Sequence, residues 1–245
     1  MIRRLLAALL LALPLNAHAA CPDHFPGGQE PKSTATATLL CSQTFAAGYS
    51  AANHDPLWSA EQLTEEEVVQ AEKLQGRAPF HEDLRLPANE RAQLLDYRRS
   101  GWSRGHLAPS GDAPTHEART ETFALSNIIP QAAKLNSGRW NQIEGNVRRL
   151  AEREGMVYVV TGPAFREPMG TIGPDHVRVP SSVWKAVYVP TLTSTAVVVC
   201  KNSAPYTCNA VGLASLLRVT GVDPFPGVQA DEREDKARLG SALLR

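Results

Sequence analysis

The sequence predicts one domain of the α+β class, a mixed sheet core with helices packed on it. Three observations carry that expectation. β-Branched runs at Met156–Thr161, Val183–Val189 and Thr193–Cys200 read as strands of a buried sheet. Trp140, Ile143, Val147 and Leu150 fall on one helical face. The 245 residues contain no internal repeat and no convincing linker, so these elements belong to one unit.

In chain order, residues 20–37 are rich in Pro, Gly, Ser and Thr and predict an irregular arm ahead of a domain spanning 38–245. Thr38–Tyr49 reads as a strand and Leu57–Leu63 as another. Thr64 with Glu67 is a capping box, which opens a helix running to about Gln75. Pro87 precedes a short helix over Ala88–Leu95. Gly105–Ser110 reads as a short strand, and Phe123–Ile129 as an extended segment stopped by Pro130. The strongly periodic helix begins near Ser137, with Asn136 at the cap position, and ends at Gly155. Val177–Pro180 is a further strand, and Ala210–Val219 and Asp231–Leu244 read as helices.

The first nineteen residues differ from the rest. Arg3 and Arg4 precede an apolar run, Leu5–Leu15, broken only by Pro14, and Ala17-His18-Ala19 supplies small residues where a signal peptidase reads. That pattern predicts an exported protein, periplasmic or secreted, cleaved after Ala19. The run is short for a bilayer span, so no stable membrane association is expected after cleavage. Export also bears on Cys21, Cys41, Cys200 and Cys208, which would pair in an oxidising compartment. Of three pairings, Cys21–Cys41 with Cys200–Cys208 is favoured because each closes a short local loop. No CxxC pair or Cys/His cluster supports a metal site instead.

Formal net charge is +0, which excludes a uniformly basic surface. Charge is nevertheless uneven. Arg91–Arg153 holds 10 Lys/Arg against 6 Asp/Glu, a local surplus suited to a phosphate-bearing polymer.

Phosphodiester hydrolysis needs a base to take a proton from water and cations to offset charge on the phosphate. A hard metal such as Mg²⁺ supplies the latter with one or two oxygen ligands. The segment Arg104–Arg148 contains each part. Arg104 and His106 share a face of a strand because side chains alternate. Asn136 offers a neutral amide oxygen. Glu144 lies eight residues on, just over two helical turns, and Arg148 one turn beyond can hold its carboxylate. Each has a commonplace alternative: a hydrogen-bonded His, a capping Asn, an exposed Glu–Arg helix pair. Their order and spacing together raise the catalytic reading above those alternatives. No G-x-S-x-G elbow supports a serine hydrolase.

The stretches SRGHLAP, LSNIIPQ and LNSGRWNQIE resemble the D-R-G-H-x-A-P, L-S-N-x-x-P-Q and L-N-x-x-x-W-x-x-x-E signatures of the DNA/RNA non-specific endonucleases. These ββα-metal nucleases include secreted bacterial sugar-non-specific nucleases and mitochondrial endonuclease G. The likeness runs from about Cys41 to Phe225 and includes VYVVTGP and TGVDPFPGV. It implies a ββα-metal fold and cleavage of both DNA and RNA to 5′-phosphate ends. His106 would be general base, and Asn136 the direct ligand of a largely hydrated Mg²⁺, with Mn²⁺ as substitute. Glu144 would hold metal-bound waters, Arg104 would contact phosphate with support from Arg148, and Asn127 would help position the site. Arg77 resembles a further phosphate-contacting arginine, although an extra residue in Arg77–Asp83 disturbs the correspondence. Ser103 stands where the family has Asp, and favours a second reading, a nucleic-acid-binding relative with weak or absent catalysis. Nothing in the sequence fixes the oligomeric state; a homodimer is one option.

Overall fold

The structure, a computed structural model, describes residues 20–229 and 237–245. The expected leader and residues 231–236 of the last expected helix lie outside the described residues. The arm is irregular as expected, except that β1 (Lys32–Ser33) pairs with β13 (Val222–Asp223). The expected strand over Thr38–Tyr49 is instead a hairpin of β2 (Thr38–Cys41) and β3 (Ala46–Ser50). Ser42-Gln43-Thr44 forms its turn, closed by Ser42 N–H donating to the Phe45 carbonyl at 2.8 Å. β4 (Asp55–Thr64) leads into α1 (Glu65–Lys73), and the Thr64–Glu67 capping box is present in both directions.

The next segment departs further from expectation. Helix α2 is only Leu94–Tyr97, because Gln93 and Asp96 form its capping pair beyond the turns of residues 84–92. β5 (Ser103–His106) is followed by α3 (His116–Thr122), which the sequence reading missed and which Thr115 caps. The extended segment placed at Phe123–Ile129 is mostly a 3-10 turn, and β6 (Ile128–Gln131) runs through Pro130. Proline is tolerated there because β6 belongs to a two-stranded ribbon with β5.

After β6 come α4 (Ala133–Leu135), a π-helical turn at Asn136–Trp140 and α5 (Asn141–Glu154). Asn136 is therefore not an N-cap: its backbone is helical, it closes α4 at its C-terminus, and its N–H donates to the Ala132 carbonyl at 2.9 Å. Beyond lie β7 (Met156–Ala164), β8 (Thr171–Ile172), β9 (Val177–Arg178), β10 (Ser182–Val189) and β11 (Ser194–Lys201). Residues 208–211, expected partly as helix, form strand β12 (Cys208–Val211) before α6 (Leu213–Thr220). The Cys200–Cys208 disulfide sits in this β11–β12 ladder, and Cys21–Cys41 ties the arm to β2. Last comes α7 (Ala237–Leu243).

The central sheet has the order β12-β11-β10-β7-β4-β3-β2, with every neighbouring pair antiparallel. Strand alternation gives it two buried faces. Trp58, Ala60, Val160, Trp184 and Ala186 point to one face, where Phe25, Leu216 and Phe225 cover them. Leu63, Val157, Val159, Val183 and Val187 point to the other, against Trp140, Ile143, Val147 and Leu150 of the long helical segment. Three polar residues interrupt this second face at one level, since Thr161 is in register with Ser59 on β4 and with Lys185 on β10.

Candidate active site

β5 and β6 pair antiparallel with Arg104 opposite Pro130 and His106 opposite Ile128. Gly105 is required between Arg104 and His106, because a Cβ there would lie 2.6 Å from Gln131 Cβ and against its Oε1. The strand stops at His106, short of the expected Ser110, because the Asn127 amide takes over the next backbone groups. Its Oδ1 accepts from Ala108 N–H at 2.9 Å and from Ser59 Oγ at 2.8 Å, and its Nδ2 donates to the Ala108 and Thr122 carbonyls, each at 2.9 Å. Asn127 is fully buried with all its bonding capacity used, so it acts as a positioning residue: it pins the chain after His106 to the central sheet.

His106 is half-buried between two aromatic rings, with Phe123 edge-on at 4.7 Å and Phe80 tilted at 5.3 Å between ring centroids. Its Nε2 is enclosed with no hydrogen-bond partner among the described residues. Burial first, and then the Arg77 charge, depress the imidazole pKa to about 3. The ring is therefore neutral at physiological pH and able to accept a proton. Arg77 and Arg104 both reach this place. Their guanidinium carbons lie 5.2 and 4.8 Å from the Phe80 centroid.

A second group of charges lies under the start of α5. Arg148 Nη1 bonds Asp112 Oδ1 at 2.7 Å, so its direct partner is Asp112 rather than the expected Glu144, whose carboxylate feels the Arg148 charge at longer range. Asp112 arrives from the loop after β5 and is 4% exposed; its carboxyl pKa is raised by burial and drawn back by Arg148 and Lys185. Glu61, on the same face of β4 as Ser59, is pushed well up by burial and then by Asp112. Glu144 is pushed up to about 7, chiefly by burial, against the attraction of Lys185 and Arg148. Lys185 is 1% exposed and donates to Thr161 Oγ1 at 2.5 Å and to the Leu107 carbonyl at 3.5 Å, with Nζ 5.6 Å from the Trp140 centroid. It thus touches both the residue after His106 and the π-turn that carries Asn136. Fully ionised, three carboxylates face two cations, leaving one negative charge in excess.

Residues 28–231 match the family described as DNA/RNA non-specific endonuclease. The chain belongs to this family. It is 32% identical over 217 residues to the mitochondrial nuclease EXOG of Danio rerio, covering 80% of this chain and 63% of that protein. It is 34% identical over 201 residues to the mitochondrial endonuclease G of Bos taurus, covering 74% of this chain and 67% of that protein. The chain thus spans less than two thirds of the length of the first of these relatives. Among solved structures, the EndoG chain of an EndoG/EndoGI complex, described as showing the mechanism of EndoG inhibition, superposes with a TM-score of 0.67 at 29% identity, over 76% of this chain and 86% of that chain. The α+β, ββα-metal fold expected of a non-specific endonuclease is the fold observed, with β5, β6 and α5 as its ββα unit.

The structure thus brings the expected residues into two groups: Arg77, Arg104 and His106 around Phe80, and Glu144 and Arg148 with Asp112. No hydrogen bond joins the Asn136 side chain to any described residue. Sequence reading missed Phe80, Asp112, Glu61 and Lys185. A signal existed for Lys185, a lone charge in the apolar run Ser182–Val189. The local basic surplus is partly structural as well. Arg119 is 8% exposed and donates to the Ala71 and Leu74 carbonyls at the end of α1, and Arg91 pairs with Glu82.

Proposed function

We propose that this chain is a metal-dependent endonuclease that hydrolyses DNA and RNA without strong sequence preference. The observation that carries the reading is a neutral, half-buried His106 beside two arginines, together with a buried cluster whose three carboxyl groups face two cations. His106 accepts a proton from water as the water oxygen bonds to phosphorus. The bond from phosphorus to the 3′ oxygen breaks, leaving a 5′-phosphate and a 3′-hydroxyl that takes its proton from solvent. Arg104 and Arg77 bind the phosphate oxygens, and such contacts carry no base information.

The donor set fits a hard divalent cation. Asn136 offers an amide oxygen without a hydrogen-bond partner among the described residues, and the Glu144 carboxyl, displaced upward by burial and by Asp112, gains from added positive charge. Among the described residues no cluster of three or more His, Cys, Asp or Glu forms an all-protein cage, which suits Mg²⁺, or Mn²⁺ in its place, keeping most of its waters. When bound, the cation offsets negative charge on the phosphate and leaving oxygen. Asn136 would hold it directly and Glu144 through water.

Export fits the leader pattern together with both disulfides, which persist in oxidising compartments. Among the described residues no helix is long and apolar enough to cross a membrane. The test is cleavage of supercoiled plasmid and of single-stranded RNA in Mg²⁺, in Mn²⁺ and in EDTA, with end analysis of the products. Cleavage of both polymers, lost in EDTA and leaving 5′-phosphates, is expected. Tight binding without cleavage in either metal would instead select the non-catalytic reading that Ser103 favours.

A further inference from the structure

We propose that Phe80 is a positioning residue of this site, one aromatic plate that sets the base and both phosphate-contacting arginines in a single geometry. The proposal rests on the nuclease reading above and adds a residue to it. Phe80 lies in the connection between α1 and α2, where nothing in the sequence marks it. Its backbone is nevertheless held: the neighbouring His81 N–H donates to the Phe123 carbonyl at 3.2 Å, and the His81 carbonyl accepts from Leu125 N–H at 2.9 Å. These bonds seat the Phe80 ring edge-on to Phe123, 4.9 Å between centroids. The same ring packs on His106 at 5.3 Å.

The arginines show why the ring matters. The other inward arginines are fixed by polar partners, Arg148 by Asp112 and Arg119 by main-chain carbonyls. Arg77 and Arg104 have no ion pair or hydrogen bond to any described residue. Their ordering contacts are aromatic: Arg104 over Phe80 at 4.8 Å, and Arg77 over Phe80 at 5.2 Å and Phe123 at 5.5 Å. Two like charges beside one ring repel each other, and the ring's negative face offsets part of that repulsion. A phosphate arriving there meets two donors already oriented, without the entropy cost of ordering two long side chains. Phe80 also shields His106 from water. The charge that opposes His106 protonation is Arg77 from the α1–α2 connection, while Arg104, on the same strand as His106, lies over Phe80. Removing the ring therefore loosens the arginines and rehydrates the imidazole.

The experiment compares Phe80→Leu, Phe80→Ala and Phe80→Trp with the full-length wild type. Imidazole resonances are titrated by NMR in EDTA without substrate, with His106→Ala used for assignment. Steady-state cleavage is measured in Mg²⁺, and folding is checked by circular dichroism. In Phe80→Leu, which keeps apolar bulk but loses the aromatic face, KM rises on the order of tenfold, with a smaller change in kcat. In Phe80→Ala the His106 pKa climbs from about 3 toward its ordinary value, and an acid limb appears in the kcat/KM profile. Phe80→Trp restores both properties. A folded Phe80→Ala protein with an unmoved His106 titration and an unchanged KM overturns the proposal, as does failure of Phe80→Trp to rescue. A wild type without cleavage defeats the nuclease reading alone, because the NMR arm still reports whether Phe80 positions His106.

Discussion

Glu144→Gln is expected to stabilise the metal-free protein above neutral pH while weakening its catalysis. The carboxyl is held at about 7 against an ordinary 4.5, chiefly by burial, with Asp112 adding to it. The sign follows from proton counting. Between these values the folded state binds more protons than the unfolded state, so folding is favoured at low pH and loses stability as pH rises through 7. Each pH unit of displacement is worth about 1.4 kcal/mol, which sets a ceiling of about 3 kcal/mol on the cost of an ionised Glu144 at pH 8. Glu144 is only half-buried, and Arg148 and Lys185 lose an attractive neighbour in the variant. A net gain of about 1–2 kcal/mol is therefore expected, or about 2–8 °C in Tm. Glutamine leaves two carboxylates facing two cations, a balanced cluster. Thermal unfolding in EDTA at pH 5 and pH 8 measures the effect. Wild type and variant should agree closely at pH 5, where Glu144 is protonated, and diverge at pH 8 in favour of the variant. A variant equally destabilised at both pH values would show that the carboxylate carries no such strain.

Three further outcomes are expected. His106→Ala should slow plasmid cleavage by about 10²–10⁴-fold while nucleic-acid affinity, read by fluorescence anisotropy, stays close to wild type; near-normal turnover would remove His106 from the mechanism. Asn136→Ala should abolish the response of activity to Mg²⁺ or Mn²⁺ with little change in Tm, because Asn136 is not an N-cap and its side chain bonds to no described residue; a normal metal titration of the folded variant would place the ligand elsewhere. Lys185→Met should cost about 3–5 kcal/mol in urea unfolding, since it leaves Glu61, Asp112 and Glu144 facing Arg148 alone. Adding Glu144→Gln to that variant should restore part of the loss, and strict additivity of the two changes would contradict the shared cluster.

The parts of the site legible in the sequence are those whose chemistry is set by local spacing. Arg104 and His106 share a face because they are two residues apart on a strand, and Asn136 and Glu144 lie eight residues apart on successive helical segments that meet at a kink at Gly138. The role of Asn127 was legible only as a general one. Its four bonds join residues far apart in sequence, Ser59, Ala108 and Thr122, and no periodicity reports such a junction. The misplaced boundaries have the same origin. β5 ends where a buried amide captures the next peptide groups, and helix continues through Asn136 because Ala132 supplies an acceptor one turn earlier. The Arg148 partner was misassigned because helical spacing nominates Glu144, whereas the loop after β5 delivers Asp112 to closer range.

A polar row across the sheet links the chain just beyond His106 to the strand that carries Lys185. Ser59, Thr161 and Lys185 stand at one level on three adjacent strands, in a face that is otherwise mainly valine and leucine apart from Glu61. Ser59 bonds Asn127, which fixes the chain beyond His106, and Lys185 bonds the Leu107 carbonyl at 3.5 Å. The β5–β6 ribbon is thus bonded to the sheet just beyond His106, at Leu107 directly and at Ala108 through Asn127. A buried hydrogen bond requires a partner at a particular distance and direction, whereas apolar packing tolerates sliding. The ribbon cannot move relative to α5 without leaving polar groups of this row unpaired. That constraint holds the cationic, aromatic half around Phe80 in register with the anionic half around Asp112 and Glu144. One half holds two cations without a paired anion, and the other, fully ionised, holds one carboxylate more than it has cations. On the proposed function, phosphate would go to the cationic half and a divalent metal to the anionic half.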